Sequence, residues 1–220
     1  KAACETEFLQ DDSLKAAILL SCTELEHAAE IITSTFPANR PFYFGMVARL
    51  LLSLVVDADR TDTANFCQGK ASLPIPDSAP PWHQLQNQLQ GKLDTFKIKS
   101  DIDRWRRQIS DNCLFFAKNP PGLYQLIVPT GGGKTLASLR YALEHAVFHE
   151  KERIFYIAPF NSILEQNCDV FREIIKDESL LLEHHCNVED DGEAYELLAQ
   201  TWDCPIIATT MVQFLNALFS

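Results

Sequence analysis

Apolar residues recur every three or four positions through the first part of the chain, as they do on one face of a helix. This spacing predicts a helix over residues 13–34 and a second, more apolar helix over residues 46–58. The apolar positions of the first helix are Leu14, Ile18, Leu19, Cys22, Leu25 and Ala29. Two prolines and a glycine within residues 36–45 predict a break between the two helices.

A proline-rich segment, residues 71–81, prevents regular structure and marks a candidate domain boundary. Two further helices are predicted after it, over residues 82–96 and 99–118. Ser100 or Asp101 is expected to cap the second of them. That helix also carries a small basic cluster, "DRWRR", at residues 103–107.

The pattern changes after a break at residues 119–122, "NPPG", where short apolar runs begin to alternate with helical periods. The apolar runs predict strands at 123–128, 153–159, 180–185 and 205–210, and helices are predicted at 134–148, 161–175 and 192–202. Strands that alternate with helices indicate a mainly parallel sheet with helices on both faces. The predicted fold class is therefore α followed by α/β.

The net charge of −11 argues against a protein that coats nucleic acid by charge alone, but not against one that grips a strand locally. No uninterrupted apolar run reaches the roughly 20 residues of a membrane helix, so no membrane partner is expected. The seven cysteines form no C-x-x-C pair and are expected to be reduced thiols of a cytoplasmic protein. No signal peptide is visible, and a first residue other than Met leads us to expect part of a longer protein.

Residues 129–135 form a glycine-rich motif, "PTGGGKT", between a predicted strand and a predicted helix. Backbone N–H groups surround phosphate oxygens only where no side chain intervenes, which three consecutive glycines permit. Lys134 is expected to reach the β and γ phosphates, and the Thr135 hydroxyl to hold Mg²⁺. The strict motif has Gly where this chain has Val128, and the alternative is a glycine-rich turn with a chance lysine. The predicted nucleotide and Mg²⁺ site comprises Pro129, Thr130, Gly131, Gly132, Gly133, Lys134 and Thr135, with Lys134 as the catalytic residue.

Two later stretches, "IAPFNSILEQN" at 157–167 and "PIIATTMVQFLNALF" at 205–219, each end a predicted strand and start a helix. Ser162 and Glu165 have capping-box spacing, and Asn161 is another candidate cap. Amides at such a helix start hold either a phosphate or a capping side chain. Taken singly, each stretch is equally an ordinary joint between a strand and a helix.

The phosphate loop and these two stretches, in this order, resemble the first RecA-like lobe of superfamily 2 helicases. Four stretches of sequence resemble one branch more closely, the CRISPR-associated helicase-nucleases of type I systems and particularly the type I-C-like group. They are "PTGGGKTLASLRYALEHA", "YIAPFNSILEQN", "LLEHHCNV" and "TTMVQFLNALFS". The resemblance covers residues 123–220. It implies an ATP-driven translocase on single-stranded DNA, recruited by an RNA-guided, Cascade-like surveillance complex. The DNA contacts it implies are Pro159, Phe160, Asn161, Ser162, Gln166, Thr209 and Thr210.

Residues 50–63, "LLLSLVVDADRTDT", resemble the closing helix of the HD-type nuclease domain that precedes the helicase in that family. The resemblance implies a divalent transition-metal ligand at Asp59, or at Asp57 in another register. The alternative is a solvated helix end. Either the remaining metal ligands lie before Lys1, which we expect, or the HD domain is degenerate. The Asp-Glu-x-His segment and the arginine finger are expected after Ser220. We therefore expect a fragment that is inactive alone, with an HD-domain remnant at 1–70, a linker with connecting helices at 71–118, and a partial RecA-like lobe at 119–220.

Two other hypotheses stay open from the sequence. One is a different superfamily 2 helicase, acting on DNA or RNA, with an unrelated helical N-terminal domain. The other is a folded interaction module without enzymatic activity. His184 and His185, adjacent at a strand end, point to opposite faces and are poorly placed to share a zinc ion.

Overall fold

The structure is a computed structural model that describes residues 12–67, 79–185 and 202–219. The chain divides into two compact units, Lys1–Pro74 and Ile75–Ser220, and we describe each by itself. The boundary falls inside the proline-rich segment. The predicted helix over 192–202 lies almost wholly outside the described residues.

Two long helices form the described part of the first unit. Helix α1 spans Asp12–Thr35 and helix α2 spans Arg40–Cys67. The rings of Phe36 and Tyr43 stack at the turn between them, with centroids 4.1 Å apart. Helix α2 begins six residues earlier than predicted, because Pro41 lies in its first turn, where a missing N–H leaves no helical hydrogen bond unmade.

Helix α2 also corrects the prediction that no segment could span a membrane. By length and composition its residues Arg40–Thr63 could do so, because they contain an 18-residue window with a mean hydropathy of 1.5, none of which is buried within the structure. The sequence prediction considered only uninterrupted apolar runs, whereas a helix tolerates scattered polar residues. This finding concerns the length and composition of α2 alone.

The second unit is built on a three-stranded parallel sheet. Its strands are β1 (Ile154–Ala158), β2 (Leu181–His184) and β3 (Ile206–Thr210), arranged in the order β1-β3-β2. A short 3₁₀ turn over Glu178–Leu180 leads into β2. All three strands lie where the sequence predicts them, and the predicted class, helices followed by a parallel α/β part, is confirmed.

The second unit also contains five helices within the described residues. They are α3 (Trp82–Asp94), α4 (Asp101–Phe116), α5 (Lys134–Phe148), α6 (Asn161–Arg172) and α7 (Met211–Phe219). Side chains alternate between the faces of a strand. Ile206 and Ala208 accordingly pack with α3, α5 and α6, whereas Ile207 packs with Leu182 and Cys204 in a second cluster.

Helix α3 belongs to this core, which changes the predicted division at residues 71–118. Leu85 and Leu89 are fully buried in the same cluster as the sheet residues. The Trp82 indole Nε1 donates a hydrogen bond of 2.6 Å to the carbonyl of Lys151. The two helices predicted as connecting elements are therefore part of the α/β unit.

The predicted strand over 123–128 is wrong for this structure, since the segment has no regular structure and none of the described strands pairs with it. Leu123 is 101% exposed and Ile127 is 83% exposed. A strand exists only through hydrogen bonds to a neighbour. An apolar run supplies the side chains of a buried strand but not its partner.

Cys22, Cys113, Cys168 and Cys204 are free thiols. Cys168 lies in α6 and is fully buried against the sheet. Burial, reinforced by the nearby Glu183 carboxylate, raises the pKa of the Cys168 thiol to about 12.

Replacing Leu85 by Ala tests whether α3 is part of the α/β core. We expect Leu85→Ala to lower the free energy of unfolding of the second unit by about 2–5 kcal/mol, because a buried leucine leaves a cavity. All three tryptophans lie in that unit, so their fluorescence during urea unfolding reports on it alone. The matched control is the fully exposed Leu123→Ala, with an expected change within about 0.5 kcal/mol. Equal effects of the two substitutions would contradict the assignment of α3 to the core.

Candidate nucleotide-binding site

The glycine-rich loop before α5 depends on glycine at all three positions. Gly131 and Gly133 have φ values of +80° and +79°, a left-handed conformation that costs other L-residues about 1–2 kcal/mol. At Gly132, an added Cβ would lie 2.5 Å from Val128 Cγ1 and 3.0 Å from the Pro129 carbonyl oxygen. The Gly132 N–H closes the turn with a 3.0 Å hydrogen bond to that same carbonyl. Gly131 and Gly133 are therefore required for their left-handed backbone conformation, and Gly132 because a side chain would collide with its neighbours.

Helix α5 begins immediately after the loop and its first turn has no side-chain cap. Gly133 occupies the N-cap position and offers no side-chain acceptor to the first N–H groups. Those donors and the positive end of the helix dipole together favour an anion. Lys134, the first helical residue, is exposed and forms no ion pair with any residue that the structure describes.

Arg106 of α4 holds the loop from the other side. Its Nε donates a 2.8 Å hydrogen bond to the Gly131 carbonyl. Its aliphatic stem also packs on Gly133, with Cγ 3.5 Å from the position that a Cβ would take. Arg106 was not predicted from the sequence, where its one signal is the basic cluster at residues 103–107.

The cap of α4 fixes Arg106 in turn. Ser100 caps α4 in a capping box with Asp103, as predicted for Ser100. The Asp103 carboxylate accepts hydrogen bonds from the Ser100 hydroxyl at 2.8 Å and from the backbone N–H of Lys99 and Ser100. The Ser100 hydroxyl is the main cause of the lowered pKa of Asp103. Asp103 therefore stays ionised beside Arg106, whose Nη1 lies 3.5 Å from it.

A cavity of about 1010 Å³ opens between the loop, the start of α5 and residues 94–111. Six basic and three acidic side chains line it. Arg140 is neutralised by Asp111 at 2.8 Å, and Arg106 pairs with Asp103. The other four basic residues have no ion pair among the described residues, and they are Lys97, Lys99, Arg107 and Lys134. The cavity is thus a basic site within a strongly acidic chain.

Thr135, the predicted Mg²⁺ ligand, is the second residue of α5. Its hydroxyl donates a 2.9 Å hydrogen bond to Asn167 Oδ1 on α6. Asn167 Nδ2 donates in turn to the Tyr156 hydroxyl on β1, at 2.8 Å. Burial raises the pKa of Tyr156, so its hydroxyl remains neutral.

The start of α6 carries several of the predicted DNA contacts on the surface. Pro159, Ser162 and Gln166 are exposed, Phe160 is 65% exposed, and Asn161 is half-buried. The predicted capping box is wrong, because Phe160 occupies the N-cap position and makes no side-chain cap hydrogen bond. The contacts of these exposed side chains with a single strand of DNA stay a prediction.

Thr209 and Thr210 do not fit the predicted role in DNA contact. Thr209 is fully buried and its hydroxyl donates a 2.8 Å hydrogen bond to the His184 carbonyl, which ties β3 to β2. Thr210 is buried too, and its hydroxyl accepts a 3.4 Å hydrogen bond from the Gln213 N–H at the start of α7. Their polar groups are used within the fold.

The predicted metal position at Asp59 or Asp57 gains no support from its surroundings. Both residues are exposed on α2, and within residues 12–67, 79–185 and 202–219 no group of three or more potential ligands is arranged to hold a metal. The sequence prediction places the other ligands before Lys1, so the assignment of Asp59 or Asp57 stays a prediction.

The strand-end histidines have partners within the fold. His185 is buried with Nε2 2.9 Å from Glu183 Oε1, and Glu183 also pairs with Arg172. The Trp202 indole donates a 3.0 Å hydrogen bond to His184 Nδ1. Burial lowers the pKa of His184.

A protein-family model described as DEAD/DEAH box helicase matches residues 110–219, half of the chain. The chain therefore belongs to the DEAD/DEAH box helicase family. The matched region contains the glycine-rich loop and the whole parallel sheet, and such a domain is that of an ATP-dependent helicase, which uses ATP, usually with Mg²⁺, and binds nucleic acid. A search of curated proteins found no matching relative.

Removing the Arg106 side chain tests whether α4 holds the loop in its binding conformation. We expect Arg106→Ala to weaken ATP binding by about 2–10-fold, the value of one hydrogen bond. Hydrogen exchange at the amides of residues 131–133 should become faster in the variant. The control is Arg104→Ala, because Arg104 is on the same helix but pairs only with Asp101, outside the cavity. Unchanged exchange in Arg106→Ala would contradict the role.

Proposed function

We propose that this chain is the ATP-binding part of a motor that hydrolyses ATP while it moves along single-stranded DNA. The observation that carries the proposal is the loop at Gly131–Gly133, with its uncapped helix start beside a cavity of unpaired cations. A triphosphate is the ligand whose charge and length match such a surface.

The electrostatics favour a compact polyanion over a protein or membrane partner at this site. The chain carries a net charge of −11, so its average surface repels anions. The cavity reverses that sign locally through Lys97, Lys99, Arg107 and Lys134. Low-dielectric walls focus the field of such a cluster and attract a small charged ligand.

The conformation of the loop supports binding of ATP and Mg²⁺. The left-handed glycines leave no side chain between the backbone and the cavity, and nothing lies within 4 Å of a Cβ added at Gly131. The exposed Lys134 would pair with the phosphates, and Thr135 would contribute a hydroxyl oxygen to the metal. Bound Mg²⁺ neutralises charge on the phosphates during transfer.

An apolar wall supports a nucleotide rather than free polyphosphate. Phe96 and Ile98 line the cavity and both are exposed large hydrophobic residues. A purine base presents an aromatic face that stacks on such side chains. The same cavity thus offers cations for the phosphates and an apolar surface for the base.

The finer assignment, to the helicase-nucleases of type I CRISPR systems, rests on the resemblance of residues 123–220. Under this proposal the complete protein is a cytoplasmic prokaryotic enzyme that is recruited to target DNA by an RNA-guided surveillance complex and cuts it. Asp57 and Asp59 do not form a metal centre with the other described residues, so we derive no nuclease step from them. A His-Asp pair in natural sequence preceding Lys1 would favour this assignment, and its absence would favour another superfamily 2 motor.

Substituting Lys134 tests the nucleotide site. We expect Lys134→Ala to lower DNA-stimulated ATP hydrolysis by about 100-fold or more in the full-length natural protein, because a charge that stabilises the transferring phosphoryl group is lost. Phosphate release with and without single-stranded DNA measures this. Lys151→Ala is the matched control, since Lys151 is an exposed lysine beyond the far end of α5. Undiminished hydrolysis in Lys134→Ala would refute the proposed site.

Substituting the exposed polar residues at the start of α6 tests the nucleic-acid contact. We expect the double variant Ser162→Ala, Gln166→Ala to bind a single-stranded oligonucleotide about tenfold more weakly, because two hydrogen bonds to the strand are removed. Its affinity for ATP should not change. The control is Gln108→Ala, an exposed glutamine of α4 that does not line the cavity. Equal DNA affinity of the double variant and the control would exclude this surface as the DNA contact.

A further inference from the structure

We propose that Asn167 is a positioning residue for the Mg²⁺ of bound ATP, acting through the hydroxyl of Thr135. The inference rests on the proposed ATP site and assigns a role to a residue outside the glycine-rich motif. Asn167 lies on α6, so the residue that positions the Mg²⁺ ligand is on the helix whose first residues are the predicted DNA contacts.

The geometry that carries the proposal is a chain of three polar side chains from three elements. The Thr135 hydroxyl on α5 donates to Asn167 Oδ1 at 2.9 Å. Asn167 Nδ2 donates to the Tyr156 hydroxyl on β1 at 2.8 Å. Both hydrogen bonds are partly buried, and they join positions 32 and 11 residues apart in the sequence.

The direction of the first hydrogen bond is what matters for a metal. A hydroxyl has one proton and two acceptor lone pairs, and a cation binds only the lone pairs. Because Asn167 Oδ1 accepts the hydrogen bond from the Thr135 hydroxyl, both lone pairs of Thr135 Oγ1 remain available to a cation in the cavity. Thr135 lines that cavity. Without an acceptor at Asn167 the hydroxyl proton rotates freely and competes for the same space.

Tyr156 contacts the nitrogen end of the same amide. Its hydroxyl accepts the hydrogen bond from Asn167 Nδ2 and adds a second contact that holds the side chain beside Thr135. An amide turned the other way would direct an N–H at the Thr135 oxygen and block a lone pair. The orientation in the structure instead points the carbonyl at Thr135 and the N–H at Tyr156.

Partners of metal ligands commonly change metal affinity by about 10–100-fold when removed. Mg²⁺ is expected to increase the affinity of the chain for ATP, and we call this increase the Mg²⁺ gain. We therefore expect the Mg²⁺ gain to be about tenfold smaller in Asn167→Leu, a substitution that keeps the size of the side chain. Affinity measured in EDTA should not change, because Lys134 and the loop amides act without the metal. Asn167→Asp keeps an acceptor for Thr135 and should retain the gain.

The experiment measures binding of a fluorescent ATP analogue to the chain, titrated in EDTA and at increasing Mg²⁺. Wild type, Asn167→Leu, Asn167→Asp and Thr135→Val are compared, together with the double variant Thr135→Val, Asn167→Leu. If Asn167 acts through Thr135, Asn167→Leu has no additional effect in the Thr135→Val background. Tryptophan fluorescence during urea unfolding verifies that each variant is folded.

The outcomes separate this inference from the proposed function. A wild-type chain that binds the analogue in neither buffer would overturn both. If Mg²⁺ increases ATP affinity equally in the wild-type chain and in Asn167→Leu, the role of Asn167 is overturned and the proposed function is not. Loss of the gain in Asn167→Asp would also overturn it, because the acceptor is then present without effect.

Discussion

The whole site depends on the conformation of the backbone between Val128 and Lys134. Two left-handed glycines turn the chain where the start of α5 borders the cavity, and the close approach of Val128 to Gly132 leaves no room for a side chain. Such a loop has little stability of its own, since glycine loses more conformational freedom on folding than other residues. Arg106 offsets this by binding the loop at its carbonyl side, and the capping box of α4 keeps Arg106 in position.

The parts of the fold that follow from local pattern were predictable from the sequence. The spacing of the helices, the apolar runs of the three strands and the Ser100 cap are patterns of residues within a few positions of one another. The segment at 123–128 and helix α3 were misjudged for a shared reason. Whether an apolar run becomes a strand depends on a neighbouring strand, and whether a helix is a connector or part of a core depends on what it packs against. Leu85 meets the sheet cluster only through tertiary structure.

The site divides in the same way. Gly131, Lys134 and Thr135 form a contiguous motif whose chemistry is evident from the order of residue types. Arg106 and Asn167 reach the motif from 25 and 32 residues away, by the hydrogen bonds to Gly131 and Thr135. Neither contact leaves a local signal. Thr209 illustrates the opposite error, since a threonine at the end of a strand has the same sequence pattern whether its hydroxyl faces a ligand or the His184 carbonyl.

The thiol next to Asn167 has a practical consequence for chemical work on this chain. Only the thiolate of a cysteine reacts with alkylating reagents and peroxides. Cys168 is fully buried and its pKa is raised to about 12, so its thiolate is scarce at neutral pH. The contact between α6 and the sheet is thereby shielded from oxidative damage. Covalent probes aimed at exposed thiols such as Cys22 leave that contact intact.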